Sequence, residues 1–159
     1  MAGCLLPGSV SVVQGGLRER EGALARVDAL LSAAQTGCGG VLLITGAAGI
    51  GKTALLGAAR ERAGQAEMRV LAGRGGELES GFSFGVVRQL FEPLLVGASA
   101  AEREALLAGA ARRALIALED QAGTVPLEAE SEAPFAVMHG LYWLAVNASA
   151  AAPLLVGGG

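Results

Sequence analysis

Apolar positions along the chain alternate between helical spacing and short continuous runs. From Leu17 to about Thr36, Leu24, Val27 and Leu31 fall on one stripe with Leu30 beside them, and Arg18, Glu19, Arg20 and Glu21 decorate the start. Gly37, Gly39 and Gly40 end that helix, and the apolar run from Val41 to Thr45 reads as a strand. Ala54 to Arg60 reads as a helix and Met68 to Ala72 as a second strand, which closes a βαβ unit. Such units are nearly always right-handed and imply a parallel sheet covered by helices. Phe84, Val87, Phe91 and Leu94, with Val86 and Leu90 alongside, predict a helix ending near Leu95. A helix over about Ala101 to Leu118 puts Leu107, Ala111, Ala114 and Leu118 on one stripe and leaves Glu102, Glu104, Arg112 and Arg113 to face water. Residues 121–132 are acidic and loop-like. Ser131 is placed to cap a further helix to about Asn147, whose first turn tolerates Pro134 and whose one face carries Phe135, Met138, Tyr142 and Ala145. Pro153 to Val156 begins another buried strand. Residues 1–16 lack clear periodicity and read as a loose lead-in, so the domain is expected over residues 17–159.

Between the first strand and its helix lies Gly46-Ala47-Ala48-Gly49-Ile50-Gly51-Lys52-Thr53, which fits G-x-x-x-x-G-K-[ST] at every position. Gly46, Gly49 and Gly51 free the backbone from β-carbon clashes, so successive N–H groups can point at phosphate oxygens. The next helix offers unpaired N–H groups and its positive dipole end to the same anion. Lys52 is placed to reach the β- and γ-phosphates of a nucleoside triphosphate, and the Thr53 hydroxyl to hold Mg²⁺. The plain alternative is a turn in a chain with 25 glycines among 159 residues. Lys52-Thr53 and the strand and helix on either side decide against it.

Composition narrows the rest. Hydrophobic residues make up 52% but aromatics only 4%, so the core is built from Ala, Leu and Val, which bury less area per residue. A net charge of −3 argues against a broad nucleic-acid footprint. No apolar run reaches membrane-spanning length. Cys4 and Cys38 have no metal-ligand spacing and make no disulfide framework, which suits a reducing cytoplasm. Hydrolysis of ATP needs an acidic residue at the end of a neighbouring strand. The strand at Leu154 instead ends Val156-Gly157-Gly158-Gly159, so the phosphate cradle lacks its catalytic partner. Glu77 and Glu79 could approach the metal, although a solvated loop is the simpler reading of both. His139, the single histidine, has no Ser, Cys or carboxylate spaced to work with it and reads as a helix residue. Tyr142 and Trp143 read as core or interface anchors rather than a base-stacking platform. Arg74 and Arg88 are candidates to meet phosphate.

Three stretches carry a resemblance. Leu17-Arg18-Glu19-Arg20-Glu21 with Leu24, Leu30 and Leu31 is the first. The second runs from Gly76 to Leu94 and the third from Phe135 to Leu144 (Phe-Ala-Val-Met-His-Gly-Leu-Tyr-Trp-Leu). Together they resemble the N-terminal ATPase domain of large LuxR-type transcriptional regulators of actinobacteria, a STAND branch of the AAA-like ATPases. The resemblance spans about Leu17 to Val156. It implies a P-loop NTPase-type three-layer α/β/α fold with a parallel sheet, here incomplete (strands one to three) with helical insertions. It also implies ATP and Mg²⁺ as cofactors. Relatives continue into an acidic strand end, a lid, a sensor region and a helix-turn-helix. This chain is therefore expected to be a fragment that binds ATP, carries no DNA-binding element and has no demonstrable hydrolysis. In the strand order the resemblance implies, a strand absent here separates Val41–Thr45 from the strand at Leu154. Both edges of Val41–Thr45 are then expected to be unpaired and open to self-association.

Two other readings remain open on the residues. A small P-loop kinase needs Leu154–Val156 paired directly with Val41–Thr45, and an Arg-bearing lid that Gln121 to Pro134 does not supply. An interaction module would use the apolar helices at 84–95 and 134–147 to dock on a partner.

Overall fold

A computed structural model describes residues 9–14, 20–76, 84–119 and 132–159 of the chain. It divides into two compact units, Met1–Val70 and Leu71–Gly159. The fold is α/β, rich in helix, with small sheets of two strands each among the described residues.

In the first unit, β1 (Ser9–Gln14) lies parallel to β2 (Gly40–Thr45), in register from Ser9 opposite Gly40 to Gln14 opposite Thr45. This corrects two expectations. Ser9–Gln14, within the expected lead-in, form a strand, and β2 has one edge paired. Two helices accompany the ribbon, α1 (Arg20–Gln35) and α2 (Lys52–Gln65). They pack together through small residues at a four-residue spacing. Ala23, Val27 and Leu31 are buried on α1, and Leu55, Ala59 and Ala63 on α2. Of the stripe expected on α1, Val27 and Leu31 are buried, whereas Leu24 and Leu30 are half-exposed. Arg62 pairs with Asp28, and Gln35 Nε2 donates to the Ala66 carbonyl at 3.2 Å, tying the two helix ends together.

Both helices stop the same way. The Cys38 N–H returns to the Ala33 carbonyl at 2.9 Å and the Gly37 N–H to Ala34 at 3.0 Å, with Gly37 at φ +84°. The Met68 N–H likewise reaches Ala63 at 2.9 Å and the Glu67 N–H reaches Gly64 at 3.0 Å. In that second stop the left-handed position is held by Glu67, at φ 55°. Cys38 is disulfide-bonded, contrary to the expectation of two unconnected thiols. The other cysteine, Cys4, lies outside the described residues.

In the second unit β3 (Arg69–Gly73, whose last three residues fall here) neighbours β4 (Leu154–Gly158). Each of β2 and β4 thus has a different partner from the one a kinase arrangement requires. The helices are α3 (Gly85–Gly97), α4 (Ala100–Leu106), a 3-10 segment (Gly109–Ala114), α5 (Leu115–Glu119) and α6 (Glu132–Ala151). The single helix expected over 101–118 is therefore broken. Gly109 takes φ +62° and the chain restarts as 3-10, yet the expected stripe of Leu107, Ala111, Ala114 and Leu118 is buried throughout. Asn147 Nδ2 donates to the Leu106 carbonyl at 2.9 Å and the Ala108 carbonyl at 3.2 Å, satisfying acceptors that the end of α4 leaves open.

The inward face of α6 is the main correction. Val137, Gly140, Leu144 and Ala148 are buried, while Phe135, Met138 and Tyr142, which share the expected apolar face, are exposed. The cause is contact distance. A Cβ on Gly140 would stand 2.5 Å from the Ala114 nitrogen and 2.8 Å from the Arg113 carbonyl carbon, so α6 meets the 3-10 segment backbone to backbone. Only the small and aliphatic side of α6 permits that approach. The expected cap Ser131 lies outside the described residues.

Substituting Gly140→Ala should therefore destabilise the protein by about 1–3 kcal/mol, because overpacking against backbone outweighs the ~1 kcal/mol gain in helix propensity. At Gly57 on α2 a new Cβ meets nothing within 4 Å. Gly57→Ala should there stabilise by about 0.5–1 kcal/mol. Urea denaturation of the two variants checks both signs.

Candidate phosphate-binding site

The loop between β2 and α2 holds its shape with glycines in conformations other residues resist. Gly46, Gly49 and Gly51 have φ of +149°, +78° and +98°. Added β-carbons at Gly49 and Gly51 would meet nothing within 4 Å, so backbone conformation rather than crowding requires glycine there. The same open space leaves room for an anion.

Gly51 is the N-cap of α2, left-handed, with no side chain capping the helix. The first helical bond runs from the Leu55 N–H to the Gly51 carbonyl at 3.0 Å. The amides at the start of α2 are thus left for a ligand, at the positive end of a 14-residue helix. Ala47, Ala48 and Thr53 are exposed and Ile50 is half-buried, its N–H only 3.5 Å from the Ala47 carbonyl.

Lys52 folds back over this loop. Its Nζ donates to the Gly46 and Ala47 carbonyls, each at 2.8 Å. The ammonium therefore lies against the start of the loop, where a bound phosphate chain would be crossed by the same side chain. All eight residues from Gly46 to Thr53 are contiguous at the carboxyl end of β2, and the donor set fits a polyphosphate: free backbone amides, one cation and an exposed hydroxyl on Thr53. Mg²⁺ would be shared between that hydroxyl and the phosphates. Among the described residues no group of three His, Cys, Asp or Glu side chains is assembled to hold a metal.

The remaining candidates each have surroundings of their own. Arg88 is structural: its Nε donates to the Ala117 carbonyl at 3.0 Å and faces Glu92 at 3.9 Å. Arg74 is exposed, and its backbone is clamped by Gln89, whose Oε1 accepts from the Arg74 N–H at 2.8 Å and whose Nε2 donates to the Arg74 carbonyl at 3.2 Å. That clamp carries no sequence signal beyond a glutamine on an apolar helix. Glu77 and Glu79 lie outside the described residues. His139 is a half-buried helix residue whose Nε2 accepts from Trp143 Nε1 at 2.9 Å. β4 carries Leu-Leu-Val-Gly-Gly and no carboxylate.

Against known families, the model of the AAA ATPase domain matches residues 17–156. The chain belongs to the AAA ATPase domain family. Neither a curated protein nor a solved structure matches it significantly. Membership of an AAA ATPase domain family suggests nucleotide binding by a P-loop domain, which agrees with the geometry of this loop. No helix among the described residues is long and apolar enough to cross a membrane.

Gly51→Ala should lower the stability of the nucleotide-free protein by about 1–2 kcal/mol, the penalty of a left-handed alanine. Lys52→Met should lower it by about 1 kcal/mol through loss of two partly solvated hydrogen bonds. Thermal melts without nucleotide read both; a Lys52→Met melt identical to the parent would show that the fold-back contacts are not formed in solution.

Proposed function

We propose that this AAA ATPase domain binds ATP with Mg²⁺ at Gly46–Thr53 as the nucleotide-binding domain of a LuxR-family STAND transcriptional regulator. The observation that carries ATP binding is the combination of three left-handed glycines with an uncapped helix N-terminus and a lysine already bent over the loop. In this reading Gly46 to Gly51 supply amides to the phosphates, Lys52 neutralises the β- and γ-phosphates and Thr53 holds Mg²⁺. The LuxR-type assignment is supported by the stretches Gly76–Leu94 and Phe135–Leu144, whose resemblance is independent of the P-loop. The protein is placed by this reading in the cytoplasm, where ATP is available.

Hydrolysis is not part of the proposal, because β4 offers no carboxylate to order Mg²⁺ or water. Binding is expected to be weak. The outer edge of β2 has no partner among the described residues, and Val41 and Leu43 are 57% and 51% exposed. A ribbon of two strands with a bare apolar face is marginal in water. The kinase alternative finds no support in the strand pairing.

Isothermal titration with Mg·ATP tests the reading. The parent should bind well above the nanomolar range, Lys52→Ala should weaken binding roughly tenfold or more, about 1.4 kcal/mol, and phosphate release should stay at background. A folded protein giving no binding signal, or a Lys52→Ala variant binding as the parent does, would sink the proposal.

A further inference from the structure

The outward face of α6 carries large apolar side chains. Phe135, Met138, Tyr142 and Trp143 are 76%, 67%, 62% and 40% exposed. They form an ordered ridge rather than scattered side chains. Phe135 stacks on His139 with planes 5° apart and centroids 6.1 Å apart, and Trp143 donates its indole N–H to His139. Tyr142 meets Trp143 edge-on at 5.7 Å. His139 Nδ1 is buried without a hydrogen-bond partner, so the ring is committed to this ladder by Nε2 alone.

We propose that this ridge is the contact between two copies of the chain, α6 crossing α6 about a two-fold axis. Charge supports a second copy over other occupants. From Ala133 to Gly159 the chain has no Asp, Glu, Lys or Arg, so the face offers nothing to a charge-selected partner, while two copies meet there without like-charge repulsion. A membrane surface would call for Lys or Arg along the helix, and α6 has neither.

Area points the same way. The exposed parts of the four side chains amount to roughly 500 Å² per copy, taking ~150–250 Å² for each whole residue. Two copies together reach about 1,000 Å², the lower bound for a specific interface. The helix, 20 residues and about 30 Å long, is long enough to present all four at once. Because the ladder already fixes Trp143 and Phe135, little side-chain freedom is left to lose on association.

Trp143 is the single tryptophan, so its emission reports this face directly. Sedimentation equilibrium and tryptophan fluorescence would be followed on the whole chain over low to high micromolar concentration. The expected result is a reversible monomer–dimer equilibrium with a blue shift of emission over the same concentration range. Met138→Glu should weaken the dimer by roughly tenfold or more, with circular dichroism and Mg·ATP binding unchanged. Leu43→Lys, on the open strand, should leave the dimer intact. A chain that stays monomeric throughout, or that dimerises with no change in Trp143 emission, overturns the proposal. So does a dimer abolished by Leu43→Lys and indifferent to Met138→Glu, which would assign association to β2.

Discussion

The left-handed backbone at Gly51 is the constraint on which the loop between β2 and α2 rests. It turns the chain from the end of β2 into α2 within a few residues, leaving the first amides of the helix without a cap. A side chain at that position would be strained by its own backbone rather than by neighbours, since open space surrounds it. The turn also aims Lys52 back at the Gly46 and Ala47 carbonyls. Glycine conformation, helix dipole and the ammonium thus converge from one local decision of the chain. The α1–α2 seam supports it from below, where Ala59 and Ala63 allow the two helices to approach closely.

The second unit solves a different problem with the same economy of small residues. Its core joins Leu71, Phe91, Leu95 and Leu144 with alanines that are fully buried at 111, 114 and 148. Alanine contributes little apolar area, so close approach of backbones must supply the packing. Gly140 marks where this happens; at Gly73 a Cβ would instead meet the Val86 side chain at 3.0 Å. Having spent its small side on the 3-10 segment, α6 has to carry its aromatic residues elsewhere, which is why they lie outside.

How much of this was legible follows from how local each cause is. The glycine-rich turn between β2 and α2 was readable because Gly46, Gly49 and Gly51 act through their own backbone and immediate flanks. Helix α1 was readable from Val27 and Leu31, and the buried stripe through Leu107, Ala111, Ala114 and Leu118 survived even though Gly109 breaks the helix that carries it. Strand β1 was missed. Ser9-Val10-Ser11-Val12 alternates with a period of two, but six residues among glycines and a proline give a weak signal, and only pairing with β2 makes them a strand. The face of α6 was misassigned because both sides of that helix are apolar. What decides is that a Cβ on Gly140 would stand 2.5 Å from the nitrogen of Ala114, a residue far away in sequence, and no periodicity encodes that. The family was legible through the motif and its neighbours, and the AAA ATPase domain match over residues 17–156 agrees with it.

The amide of Gln89 behaves towards Arg74 as a neighbouring strand would, accepting from its N–H and donating to its carbonyl. In effect it lengthens the edge of β3 by one rung with a side chain in place of a backbone. The first residue beyond the strand is thereby mechanically coupled to α3. Any displacement of that residue has to break both links at once or drag the helix with it, so the segment leaving β3 starts from a fixed anchor instead of a free pivot.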